Sequence, residues 1–295
     1  MVVEDRAIWA STAELPSLGK LYTIAKDGFE IPGGKVMVAP LIGSEEKMLA
    51  TAGSGQISAA VIQLISNCTF TPTGDRIKGL KPGRLLLGDQ IYLMQAIRHV
   101  TLGTHKFKLR CPRCEAQFDA SLDMPDGVTI QRLSDDVTEP FETELPFSKL
   151  RVRQHLWRAE DNDAIDAWVK ARKREKRIAG DDGDPAYFYR FVRTVESISV
   201  PGDPEKNAGT INILGSTEYT NDGTPELEDR LLTLFNVMHG DDIRAIRDAV
   251  YTRDCGVEDT AEFQCTACKT EFVAGVPGGT QFFRPNPGKG IINLR

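Results

Sequence analysis

The stretch RCPRCEAQF (residues 110–118) carries Cys111 and Cys114 in Cys-x-x-Cys spacing, with Phe118 four residues after the second cysteine. About 150 residues later QCTACKTEF (residues 264–272) repeats the pattern without a gap, as Cys265, Cys268 and Phe272. One such turn offers two thiolates about 3.7 Å apart, which is half of the tetrahedral ligand set that structural zinc takes. Before the cysteines stand HKFKLR and AEFQ, and after them EAQF and KTEF. These flanks read as ribbon strands, whereas a redox Cys-x-x-Cys opens a helix in a βαβ unit. The spacing therefore predicts one zinc per chain, shared by Cys111, Cys114, Cys265 and Cys268. Closing so long a loop costs about 4–5 kcal/mol of chain entropy. Structural zinc contributes on the order of 10–16 kcal/mol in small finger peptides, enough to hold the two segments together. Three alternatives stay open: a site of Cys255, Cys265 and Cys268 completed by His239, a redox pair, and cysteines that hold no metal. Cys68 and Cys255 have no Cys-x-x-Cys partner and are expected to be small buried hydrophobes.

Walking backwards from the two cysteine motifs extends the match. LLGDQIYLMQAIRHV from Leu86 answers MHGDDIRAIRDAVYT from Met238, Gly88-Asp89 falling on Gly240-Asp241. From glycine to first cysteine the interval is 23 residues in one half and 25 in the other. Asp89 and Asp241 are expected to cap helices, and Ile91, Met94 and Ile97, like Ile243, Ile246 and Val250, follow helical spacing. Glu14-Leu15-Pro16 answers Glu144-Leu145-Pro146. Each is followed by an extended stretch, KVMVAPLI or KLRVRQHLW, and then by an acidic helix start, Ser44-Glu45-Glu46 or Glu160-Asp161. The expected fold is α+β, an internal duplication of a strand–helices–Cys-x-x-Cys ribbon unit, with the repeats packed pseudo-symmetrically around the shared zinc. The predicted boundaries are 1–125 for the first repeat, 126–275 for the second and 276–295 for an extended C-terminal arm. Residues 119–140 read as a strand and an acidic linker, 68–84 as a loop, and 200–225 as its longer counterpart with a hairpin through Thr210–Leu214.

The chain has 295 residues, enough for a core without staples. Hydrophobic residues make up 41% and charged ones 26%, the profile of a globular protein. A net charge of −6 argues against a dedicated nucleic-acid binder, which is usually basic. No apolar run reaches the length of a membrane span. MVVEDRAIWAST at the N-terminus is acidic early and lacks an apolar signal core, so the cysteines are expected in a reducing compartment.

No motif of nucleophilic, metallohydrolase or phosphate-loop type stands in the chain, and His99, His105, His155 and His239 form no ligand pattern, so no enzymatic activity is expected. The run Lys170, Arg172, Lys173, Arg174, Lys176 and Arg177 follows Ile165, Trp168 and Val169 on one predicted helix. It reads first as a solvated helix end with favourable dipole placement, then as a dock for an acidic partner, and last as a nucleic-acid contact. Phe282, Phe283 and Arg284 lie on the Pro/Gly-rich arm, where two adjacent phenylalanines call for burial against a partner chain or the second ribbon.

Leu15-Pro16-Ser17, Gly19 and Tyr22, the Ser44-Glu45-Glu46 helix start, the Gly88-Asp89 helix with Arg98, and Cys111-Pro112-Arg113-Cys114 together resemble the T4-type bacteriophage baseplate protein family. Members of that family take part in baseplate hub assembly in contractile-tailed phages. The resemblance is clearest over residues 13–125, and the second half joins it through the duplication, the Cys265–Cys268 ribbon and Phe282-Phe283. It implies a non-enzymatic structural role at or near the hub of the virion tail baseplate, assembled in the host cytoplasm. The implied partners are other baseplate or hub proteins, with no membrane and no small-molecule substrate. Phe282, Phe283 and Arg284 are the expected docking residues. Two other roles stay open, a hub assembly chaperone absent from the mature virion and a zinc-ribbon nucleic-acid-binding protein. The basic run and residues 200–225 fall outside the resemblance.

Overall fold

A computed structural model of the chain describes residues 10–52, 57–123, 127–174, 184, 186–202, 205, 207–258 and 260–276. The fold is α+β. Chain order runs β1 (Ser11–Glu14), α1 (Ile24–Asp27), β2 (Lys35–Val38), α2 (Gly43–Thr51), α3 (Ile57–Cys68), β3 (Thr69–Phe70) and α4 (Leu87–Leu102). Then come β4 (His105–Arg110), β5 (Gln117–Leu122), β6 (Ile130–Gln131), β7 (Phe141–Glu144), β8 (Arg151–Gln154), α5 (Ala159–Arg174), α6 (Tyr187–Val192) and β9 (Val195–Ser199). The remainder is α7 (Ala208–Leu214), β10 (Glu218–Thr220), α8 (Pro225–Val237), α9 (Gly240–Tyr251), β11 (Gly256–Val257), β12 (Thr260–Gln264) and β13 (Glu271–Gly275). Two compact units result, one of residues 1–132 with 255–295 and the other of residues 133–254.

In the first unit β1, β2 and β3 form an antiparallel sheet in that order. Helix α3 buries Ala60, Val61, Leu64, Ile65 and Cys68, a stripe of helical period. Helix α2 opens with a reciprocal turn, in which the Glu45 carboxylate accepts the Ile42 N–H at 3.1 Å. Cys68 is fully buried, as a small hydrophobe should be, with its sulfur 3.9 Å from Glu45 Oε2. Helix α4 departs from expectation. Its cap position is Leu86, while Asp89 sits inside the first turn, fully buried. There it accepts the Ser17 N–H at 2.9 Å, the Ser17 hydroxyl, and the Tyr22 hydroxyl at 2.5 Å. Because Asp89 faces inward, the buried stripe runs through Tyr92, Leu93, Ala96 and Ile97, and Ile91 turns out to solvent.

In the second unit the sheet order is β10-β9-β8-β7, antiparallel throughout. Helix α5 opens as α2 does: Asp161 Oδ2 accepts the Arg158 N–H at 2.8 Å. Buried carboxylates here are paired. Arg193 reaches Asp161 at 3.0 Å and Glu228 at 2.8 Å, Tyr189 donates to Glu228 at 2.7 Å, and Arg158 pairs with Glu139. Helix α9 is capped by His239, whose Nδ1 accepts the Asp241 N–H at 3.2 Å. Asp241 is exposed, and the buried acid is Asp242, which accepts the N–H groups of Phe147 and Ser148 at 2.8 and 3.0 Å. The hairpin expected at Thr210–Leu214 is instead the end of α7. Gly215, at φ 86°, closes that helix by donating its N–H to Ile211 O at 2.7 Å.

Candidate metal centre

Two antiparallel hairpins of the first unit, β4–β5 and β12–β13, carry the cysteines at their turns. Alternation along β4 and β5 puts Phe107, Leu109, Phe118, Ala120 and Leu122 on one face, and these pack with Cys111, Cys265 and Ala274 in a single apolar cluster. Phe263 and Phe272 complete it from the second hairpin. Phe107 meets Phe263 edge-on at 5.7 Å between ring centroids, and Phe118 meets Phe272 edge-on at 6.1 Å. Charged residues occupy the outer face, for example Lys108 and Asp119, paired at 2.9 Å.

The two turns are built alike. Cys111 donates its N–H to Ala116 O at 3.0 Å, and Cys265 donates to Thr270 O at 2.9 Å. Glu115 and Lys269 each return an N–H to the first cysteine's carbonyl at 3.0 Å. Each adopts a left-handed backbone, φ 58° and 60°, which lets the chain turn around the sulfurs. Across the hairpins Cys111 Sγ lies 3.7 Å from Cys268 Sγ, and Cys114 Sγ lies 3.7 Å from Cys265 Sγ. All four sulfurs fall within 4.8 Å of one another. Arg113 adds a bond between the turns, from Nη1 to Thr270 Oγ1 at 3.2 Å.

Hydrogen bonding sets the thiols apart. The Thr270 hydroxyl, 3.2 Å from Cys268 Sγ, and the Thr270 N–H lower the Cys268 thiol to about 6. N–H groups of Cys268 and Ala267 lower Cys265 as well. At Cys114 the Ala116 N–H pulls downward but is outweighed by the neighbouring thiols, Cys268 foremost, and the thiol is pushed up to about 12. Cys114 is also the exposed member of the set, whereas Cys111 and Cys265 are buried. A thiolate-rich, nitrogen-free donor set of this kind suits zinc and other thiophilic ions.

Among the described residues the clustered ligands are Cys111, Cys114, Cys265 and Cys268, without Cys255 or His239. Cys255 is buried, and in the second unit His239 stacks on Phe147 at 4.2 Å while capping α9. Phe282, Phe283 and Arg284 lie outside the described residues, as do Lys176 and Arg177 of the basic run. Of that run, Arg172 is half-buried, lies 5.0 Å over the Trp168 ring and pairs with Asp229 at 2.5 Å. Sequence reasoning missed the Arg113–Thr270 bond, since neither residue stands out by type or spacing. Among the described residues no helix is long and apolar enough to cross a membrane. No curated protein and no solved structure matches the chain. The family model described as T4 bacteriophage base plate protein matches residues 12–284, nearly the whole chain, and the chain belongs to that family.

Proposed function

We propose that the protein is a non-enzymatic structural part of the phage tail baseplate, at or near the hub, whose body is clamped by one zinc and whose C-terminal arm docks neighbouring subunits. The family match over residues 12–284 carries the structural role. The cysteine geometry supports the zinc: four sulfurs at about 2.3 Å from one ion lie about 3.8 Å apart, and the two distances across the hairpins are 3.7 Å. Cys111, Cys114, Cys265 and Cys268 would hold the ion, which adds cohesion and no chemistry.

The proposal includes the internal duplication. In each unit a buried aspartate near a helix start seats the Leu-Pro turn: Asp89 for residues 15–17 and Asp242 for residues 145–148. In each, an acid three residues on caps its own helix entry, Glu45 to Ile42 and Asp161 to Arg158. The strand after the hairpin returns with the same bond, Ala39 N–H to Cys68 O at 2.8 Å and His155 N–H to Thr194 O at 2.9 Å. Asp89 therefore answers Asp242 rather than Asp241, and the intervals to the first cysteine become 22 and 23 residues.

Phe282, Phe283 and Arg284 are the docking residues of this reading, two large rings and a guanidinium of the kind that anchor interfaces. Mass spectrometry of purified virions tests the role. The chain is expected at a fixed copy number in mature tails. Its presence on assembly intermediates and absence from finished particles would mark a hub assembly chaperone and overturn the structural reading.

A further inference from the structure

All four sulfurs lie within 4.8 Å of one another, and across the hairpins Cys111 stands 3.7 Å from Cys268 and Cys114 stands 3.7 Å from Cys265. A disulfide needs its sulfurs at about 2.05 Å, so either pair closes by a shift of under about 2 Å. The Phe107–Phe263 and Phe118–Phe272 contacts already press the hairpins together. Arg113 to Thr270, at 3.2 Å, ties one turn to the other. A disulfide inside one Cys-x-x-Cys would instead have to form within a turn whose backbone is fixed by the Cys111–Ala116 and Glu115–Cys111 bonds, or by their equivalents at Cys265. Such a bond would also leave the hairpins unjoined.

We propose that the centre is an exchangeable clamp, holding metal under reducing conditions and two disulfides, Cys111–Cys268 and Cys114–Cys265, when peroxide strips the metal. The metal half rests on the zinc reading above. A virion component is made in a reducing cytoplasm and then carried into aerobic surroundings, where a thiolate–metal clamp alone is open to oxidation. Cys114, the exposed sulfur, is the point of entry. Its sulfur, ionised while it serves as a ligand, attacks one oxygen of hydrogen peroxide, the O–O bond breaks, and hydroxide leaves and is protonated to water. Cys265 sulfur then attacks the sulfenic sulfur of Cys114, the S–S bond forms, the S–O bond breaks, and a second water departs. Two thiols give up two electrons and one peroxide becomes two waters. A second peroxide does the same for Cys111 and Cys268.

The test uses the full zinc-loaded chain treated with hydrogen peroxide beside a chromogenic zinc chelator, then denatured, alkylated and digested with trypsin. Cleavage after Arg110, Arg113, Arg132, Arg253 and Lys269 places Cys111 on peptide 111–113, Cys114 on 114–132, and Cys265 and Cys268, together with Cys255, on 254–269. The expected result is release of one zinc per chain, with 111–113 and 114–132 each disulfide-linked to 254–269. Fragment ions should assign Cys268 to the former and Cys265 to the latter. The oxidised chain should melt within a few degrees of the zinc form, and the reduced, chelated chain clearly below both. Linkage of 111–113 to 114–132, sulfinic or sulfonic products in place of disulfides, or an oxidised chain that melts with the reduced metal-free one overturns the proposal. A reduced chain that carries no zinc overturns the metal reading, and the same peptide map still decides the pairing.

Discussion

Cys114 is the residue where the protonation and exposure of the candidate metal centre meet. Metal binding requires thiolates, so protons compete with the ion and affinity falls as pH falls. Cys268, lowered to about 6, is mostly ionised at pH 7, while Cys114, raised to about 12, still carries its proton there. Zinc binding at pH 7 should therefore release at least the Cys114 proton. Calorimetry in buffers of different ionisation enthalpy measures the count. Cys114→Ser should bind more weakly and release about one proton fewer; equal release would remove Cys114 from the ligand set. Metal analysis of the reduced chain should give one zinc, and two per chain would defeat a shared site. Asp89 is the second decisive residue. Asp89→Ala strands the Ser17 N–H, the Ser17 hydroxyl and the Tyr22 hydroxyl in a buried place. Unpaired buried groups of this kind cost about 1–3 kcal/mol each, so a loss of about 3–5 kcal/mol is expected in denaturant titration. Asp242→Ala removes the acceptor of two part-buried backbone donors, which water can partly satisfy, and should cost about 1–2 kcal/mol.

At the scale of elements, Gly88 shows how closely α4 and β11 pack. A Cβ there would sit 1.9 Å from Cys255 O and 2.7 Å from Gly256 Cα, both backbone atoms that cannot swing away. Gly88→Ala should cost about 2–3 kcal/mol by overpacking, read as a fall in denaturation midpoint. Gly43→Ala, with no atom within 4 Å of the added carbon, should cost nothing measurable. This close approach could not be read from sequence, because Gly88-Asp89 looked like helix punctuation. The ribbons were legible because period-two alternation and Cys-x-x-Cys spacing are local. The buried face of α4 was not, because it turns on Asp89, an acid that faces inward only because a loop 72 residues away supplies its donors. The end of α7 reads as strand for a related reason: Ile211 and Ile213 alternate as strand residues do, while Gly215 closes a helix there. Asp241 and Asp242 are adjacent, and nothing local says which one is buried.

For the whole molecule, the proposal divides the work between a body that holds its shape and an arm that reaches its neighbours. Zinc and the duplicated turns belong to the body, and Phe282, Phe283 and Arg284 to the arm. The two should therefore separate experimentally. A chain lacking residues 277–295 retains β12, β13 and all four cysteines, since the last described strand ends at Gly275. It should fold, bind one zinc and melt within a few degrees of the full chain. In phage carrying that truncation, finished tails should be lost while the truncated protein stays soluble in the lysate. Phe282→Ala with Phe283→Ala should give the same phenotype, because large buried rings contribute a disproportionate share of interface energy. Arg284→Ala should be milder if its guanidinium sits on the rim, where charges mainly steer association. The informative comparison is stability against assembly. If the truncation lowers the melting temperature and zinc content together, the arm completes the second ribbon and docking must lie elsewhere. If tails form normally without it, the arm has no part in assembly.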